Sequence, residues 1–232
     1  MLVLDPIKAV YMPVCKAATS SFIAYFGEVI YGSKNNAFKN PKERRKTLHN
    51  DFNVKWRPDS KFLETDKCKT YYKFAFVRSP WTRAVAAFRE LLRRKPFGVN
   101  GANEERGLGY DEIYDLMYGH ISFNNFINFI VNIETEHTDH INAHWAPQVE
   151  VIHIKTRAIR PMVYNFIGKL ETVDQDFNHV QDKLGLQKTK LYTKHVTTKY
   201  DHKMYYQNSK IVDTVGDYYR DDIERFGYEY TP

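Results

Sequence analysis

Near the start of the chain, Lys16-Ala17-Ala18-Thr19-Ser20-Ser21 brings together a cation, two small residues and three hydroxyls. This mixture suits an anion. Small residues let a phosphate or sulfate come close to the main-chain N–H groups that open a helix, and those groups carry partial positive charge and lack intrahelical partners. The hydroxyls of Thr19, Ser20 and Ser21 add donors and possible helix caps. Lys16 supplies a point charge that can follow negative charge developing on a transferred group. No glycine-rich run precedes Lys16, which makes a nucleotide triphosphatase of the Walker type the weaker reading. A second cation, Arg78, stands just before Ser79-Pro80, where proline fits the first helical position and serine the cap before it.

The elements that must carry these residues are legible around them. An apolar run, Val10-Tyr11-Met12-Pro13-Val14, leads into the first loop, and a helix over 21–31 follows, with Phe22, Tyr25, Phe26, Val29 and Ile30 at helical spacing and Gly32 as its stop. Residues 71–77 read as a buried strand ending at Arg78. The helix after Pro80 places Trp81, Ala84, Val85, Phe88, Leu91 and Leu92 on one face and Arg83, Arg89, Arg93 and Arg94 mostly on the others. Two strand-loop-helix units with a cation at each mouth fit a ligand that is negative at both ends, such as a bisphosphorylated nucleotide. Further on, helices are expected over 110–117 and 122–133 and a strand over 164–170. A capping box at Thr172 to Gln175 is expected to open a helix to Leu184, and a last helix runs over 211–226 and closes at Gly227. The basic stretch 39–57 and the glycine- and asparagine-rich loop 95–110 are expected to border an acceptor.

Bulk properties narrow the class. A 232-residue chain that is 43% hydrophobic can bury a sizeable core, so one domain over 1–232 is the economical expectation. The net charge of +6 favours anionic ligands. No zinc-finger spacing, ribonucleoprotein motif or basic heptad region accompanies that charge, so no nucleic-acid partner is expected. Two distant cysteines, Cys15 and Cys68, exclude a disulfide scaffold and fit a reducing compartment. No run reaches the length of a membrane span. His137, His140 and His144, with Glu134 and Asp139, share helical spacing, but Pro147 and the surrounding Thr/Asn-rich sequence end a helix there, and no metal is expected.

Several blocks, in the same order, resemble the sulfotransferases that use 3′-phosphoadenosine 5′-phosphosulfate (PAPS), in particular their carbohydrate branch, sulfotransferase family 2. The loop from Lys16 to Ser21 is similar to that family's 5′-phosphosulfate loop, and Phe74-Ala75-Phe76-Val77-Arg78-Ser79-Pro80-Trp81-Thr82-Arg83 to its 3′-phosphate segment. His144-Trp145-Ala146-Pro147-Gln148, the block 164–171 and the block 219–228 resemble later landmarks. The resemblance implies an α/β, P-loop-like three-layer fold with a central, mostly parallel sheet flanked by helices. It also implies sulfuryl transfer from PAPS to a sugar hydroxyl, with an anionic or extended glycan as acceptor. Lys16, Ala17, Ala18, Thr19, Ser20 and Ser21 would hold the donor's 5′ end, and Arg78 its 3′-phosphate. Two departures stand out: Cys15 replaces a proline, and Ala86 replaces the serine expected eight residues after Arg78. The lost hydroxyl contact is worth about 1–2 kcal/mol, so Arg78, together with Arg83 or Lys199, is expected to carry more of that phosphate. Lys16 is expected to stabilise the leaving group, and His49 or His144 to serve as general base, with Glu171 a third option. A cytoplasmic bacterial or viral enzyme is the expected setting, with a Golgi-lumenal catalytic domain as the alternative. Two other classes remain open: a relative that binds nucleotide or glycan without transfer, and a kinase with a non-Walker loop. The oligomeric state is left open.

Overall fold

The computed structural model describes residues 1–31, 65–94, 121–133, 143–152, 162–191 and 201–230. In chain order these form β1 (Leu2–Leu4), β2 (Ala9–Met12), α1 (Thr19–Tyr31), α2 (Asp66–Thr70), β3 (Tyr72–Val77) and α3 (Pro80–Arg94). Next come α4 (Phe123–Asn128), which runs on into a π turn (Phe129–Ile133), then α5 (Gln148–Ile152), β4 (Phe166–Lys169), α6 (Val173–Lys183), α7 (Ser209–Tyr218) and α8 (Arg220–Phe226). The chain forms two compact units, Met1–Val77 with Ile152–Thr197 and Arg78–Val151 with Thr198–Pro232.

The first unit holds the sheet, in the order β1-β2-β3-β4. β2, β3 and β4 are parallel, and β1 lies antiparallel on β2 with Leu2 opposite Tyr11. The class is therefore α/β with a mostly parallel sheet. Period-two alternation puts Tyr11, Phe74 and Phe76 on one sheet face, against Phe22 and Phe26 of α1 and Phe177 of α6. The Phe22 and Phe76 rings stack with centroids 4.3 Å apart, and Tyr11 stacks on Phe74 at 5.3 Å. Val10, Ala75 and Val77, on the opposite face, are fully buried as well, as expected of a parallel sheet covered on both sides. Gly168 of β4 lies where a Cβ would come 2.5 Å from Cε1 of Phe76, so only glycine fits beside that ring.

The second unit is helical. Trp81, Ala84, Val85, Phe88 and Leu91 of α3 are buried, and Trp81 Nε1 donates to Val212 O of α7 at 3.2 Å while Tyr206 Oη donates to Trp81 O at 2.8 Å. Side-chain caps start α4, where Ser122 accepts from Asn125 N, and α7, where Asn208 accepts from Ile211 N.

Several sequence expectations are corrected. α1 begins at Thr19, two residues early, and Val29 on it is exposed. The capping box at Thr172 does not form. The Thr172 hydroxyl donates instead to Asp176 Oδ2, which also accepts from Lys169 N, so the carboxylate ties the end of β4 to the head of α6. The helix expected over 211–226 breaks at Tyr219, whose fully buried ring carries its hydroxyl to Trp145 O at 2.6 Å. The helix expected over 110–117 lies outside the described residues.

Candidate functional site

In the first unit, β2 delivers the chain into a tight loop before α1. Ala17 N donates to Val14 O at 3.1 Å, and the Thr19 hydroxyl donates to the same carbonyl. Val14 and Ala17 are fully buried and pin the turn from below. Lys16 and Ala18 both adopt left-handed backbone, at φ 70° and 55°, without glycine. Ser21 N and Phe22 N both donate to Ala18 O, closing the first turn of α1. Among the described residues no acceptor is found for the N–H groups of Ala18, Thr19 and Ser20. This is the set of donors at the head of a 13-residue helix that an anion would take. The Tyr11 hydroxyl is buried and has no hydrogen-bonding partner among the described residues. Burial pushes this phenol well above its ordinary value, and the neighbouring Thr19 hydroxyl offsets only part of the effect. Lys16, Ala17, Ala18, Thr19, Ser20 and Ser21 are thus gathered in one place, although Ser21 is buried in the helix rather than capping it.

In the second unit, Arg78 leads into α3 with its main chain held at both ends. Its N–H donates to Gln148 Oε1 at 2.9 Å and its carbonyl accepts from Gln148 Nε2 at 2.8 Å. Its Nε donates to Thr82 Oγ1, also at 2.9 Å. Beside Arg78, burial pushes the His202 imidazole below its ordinary value, with smaller contributions from Lys203 and Arg78 and against the pull of Asp201. Arg83, expected on a polar face of the helix, is instead fully buried. Its guanidinium donates to Ala146 O at 2.8 Å and Ala143 O at 3.3 Å and lies 5.9 Å from the Tyr219 ring. Those carbonyls belong to the turn that carries His144, which is half-buried. Ala86 lies half-buried on α3.

Glu171 is exposed in the turn between β4 and α6. His49, Lys199, His137 and His140 lie outside the described residues. Among the described residues no group of His, Cys, Asp or Glu is placed to hold a metal. Gln148 and Asp222 were not singled out from the sequence. Gln148 meets Arg78 across 70 positions and Asp222 meets Gln148 across 74, so no local spacing links them. Their presence inside the quoted landmark blocks was the one available signal.

In the first unit the head of α1 offers main-chain donors beside a lysine, the arrangement that suits an anion, and in the second unit Arg78 leads into α3. The chain matches the model of the Sulfotransferase family over residues 1–229 and belongs to that family. It is similar to carbohydrate sulfotransferase 12 of Mus musculus, 30% identical over 150 residues that make up 56% of this chain and 33% of that protein. With carbohydrate sulfotransferase 11 of Mus musculus it shares 27% identity over 128 residues, 52% of this chain and 34% of the relative. With carbohydrate sulfotransferase 10 of Homo sapiens the figures are 24% over 178 residues, 70% and 48%. The matched stretches thus span about a third to a half of these curated relatives. No solved structure gives a significant match.

Proposed function

We propose that residues 1–232 form a single sulfotransferase domain that moves a sulfuryl group from PAPS to a hydroxyl of a carbohydrate. The observation that carries this reading is the loop at the head of α1, where Lys16 stands beside the N–H groups of Ala18, Thr19 and Ser20, for which no described acceptor exists. Family membership and the names of the similar proteins support the reaction and the acceptor class.

The acceptor oxygen forms a bond to sulfur as the bond from sulfur to the 5′-phosphate oxygen breaks, and the acceptor proton leaves to a base. Lys16 and the loop amides stabilise the charge that grows on the departing phosphate oxygen. Arg78 anchors the 3′-phosphate by a forked contact that lysine does not reproduce, and this remote binding energy holds the donor in line. His144 or His49 takes the proton. No metal enters the scheme, and a glycan acceptor of anionic character suits the chain's charge of +6. Neither Cys15 nor Cys68 is in a disulfide, which fits a reducing compartment, and placement in the cytoplasm is part of this proposal.

Transfer of labelled sulfate from PAPS to a panel of glycans tests it. Lys16→Ala is expected to lower kcat about 100-fold or more while leaving the Kd for the desulfated nucleotide nearly unchanged. Arg78→Ala is expected to act chiefly on that Kd. Wild-type protein that neither transfers sulfate nor binds 3′-phosphoadenosine 5′-phosphate in preference to ATP would overturn the reading.

A further inference from the structure

The β3–β4 ladder ends at Val77, so the main chain of Arg78 must find other hydrogen-bonding partners. It finds both in one side chain. Gln148, fully buried, lays its amide along the Arg78 peptide, accepting from the N–H at 2.9 Å and donating to the carbonyl at 2.8 Å. A glutamine amide can present itself in two orientations, and its neighbour selects one. Asp222 Oδ2 lies 3.2 Å from Gln148 Nε2 and accepts from Gln148 N at 2.8 Å, while Oδ1 accepts from Val149 N at 2.8 Å. A carboxylate only accepts, so the NH2 group must face Asp222 and the oxygen must face the Arg78 N–H. With Nε fastened to Thr82, the arginine is fixed both at its main chain and partway along its side chain.

The geometry points to Gln148, locked by Asp222, as a positioning residue for Arg78: the pair aims the guanidinium at the 3′-phosphate of the donor. This rests on the proposed role of Arg78. A forked contact to phosphate is directional, and a guanidinium whose main chain can drift forms it poorly. Gln148 touches no substrate in this scheme and acts through Arg78 alone.

The test compares binding of 3′-phosphoadenosine 5′-phosphate with binding of adenosine 5′-phosphate, which lacks the 3′ group, by calorimetry on the full chain. Gln148→Met, similar in length and without polar hydrogens, is expected to raise the Kd for the bisphosphate about tenfold, the scale of one lost charge-assisted contact, and to leave the monophosphate within about twofold. Added to Arg78→Ala, the same change is expected to do almost nothing further, because the two act on one contact. Asp222→Asn keeps the size and removes the selecting carboxylate, so it is expected to shift the bisphosphate alone by a smaller factor. It carries the same comparison if Gln148→Met fails to fold. Equal weakening of both nucleotides, or an undiminished effect in the Arg78→Ala background, would overturn the positioning role. So would wild-type binding by Gln148→Met alongside a weakened Arg78→Ala. If Arg78→Ala itself bound the bisphosphate like wild type, the anchor reading would fail first, and the positioning role with it.

Discussion

Arg83 is the residue at which the sequence expectation and the observed geometry diverge most, and replacing it by methionine separates them. Methionine keeps an unbranched apolar stem in the space the arginine fills, so the perturbation removes donors and charge more than packing. A charged donor to a main-chain carbonyl, here Ala146 O at 2.8 Å, contributes about 1.5–3 kcal/mol. The longer bond to Ala143 O at 3.3 Å and the guanidinium 5.9 Å from the Tyr219 ring contribute about 0.5–1 kcal/mol each. Arg83 also pulls down the carboxyl of Asp222, whose burial pushes it above the usual range, so its loss leaves that buried charge less compensated. A net cost of about 3 kcal/mol follows, or about 9 °C in melting temperature for a chain of this length. The fluorescence of Trp81 and Trp145, both within the affected unit, reports the melt. Affinity for 3′-phosphoadenosine 5′-phosphate, measured well below the transition, is expected to stay within about threefold of wild type. A melting temperature within about 2 °C of wild type, paired with a tenfold weaker nucleotide, would refute the structural role and return Arg83 to the phosphate.

Gly168→Ala is expected to destabilise the first unit by about 2 kcal/mol, because its Cβ meets a Phe76 ring already stacked on Phe22; urea unfolding checks this. Ala18→Gly removes the cost of a left-handed alanine and is expected to gain up to about 1 kcal/mol in the same assay while keeping nucleotide affinity; a clear loss would contradict the assigned backbone. His202 has its protonation disfavoured in the folded state. Its contribution is therefore fully present above the unfolded value of about 6.5 and lost as pH falls toward the depressed folded value. His202→Gln is expected to flatten the fall in stability as pH drops below about 6.5, and an unchanged profile would assign that fall to other groups. If the segment after β3 holds the 3′-phosphate as proposed, Ala86→Ser supplies a hydroxyl there and is expected to tighten binding of 3′-phosphoadenosine 5′-phosphate several-fold, about 1 kcal/mol; no change would place that phosphate away from residue 86.

Apolar runs located β2 and β3 to within a few residues, since strands buried on both faces declare themselves as runs of Val, Phe and Tyr. β1 escaped because three residues in an antiparallel edge carry no comparable signal. The cations show the limit more sharply. Helical periodicity sorts Arg83 toward solvent, yet its partners are carbonyls 60 and 63 positions away, and no pattern on α3 could name them. The break at Tyr219 has the same origin: neither proline nor glycine marks it, and it depends on a carbonyl 74 residues distant. What was legible was local structure, the loop that leads into α1 and the Arg78-Ser79-Pro80 turn that opens α3. What was not legible was the long-range hydrogen bonding that decides which arginine is structural.

The loop at Lys16 breaks two local rules within three residues, and the breaks serve one end. Left-handed backbone costs a non-glycine residue about 1–2 kcal/mol, and the chain accepts it at both Lys16 and Ala18. Glycine at residue 16 would relieve the strain but remove the ammonium to which the proposed transfer step assigns a role. At residue 18, just before α1, serine or aspartate would offer an oxygen to the helix amides, whereas alanine offers none. The nearest hydroxyl, on Thr19, points its hydrogen back at Val14 O and tightens the turn. The strain is held by rigid flanks: Val14 and Ala17 are locked in the interior, and Phe22 and Phe26 pack α1 onto Tyr11 and Phe74 of the sheet. A loop kept strained by well-packed neighbours, with its helix head left uncapped, suits a binding surface shaped before its ligand arrives, and on the proposed function the donor's negative charge completes the cap.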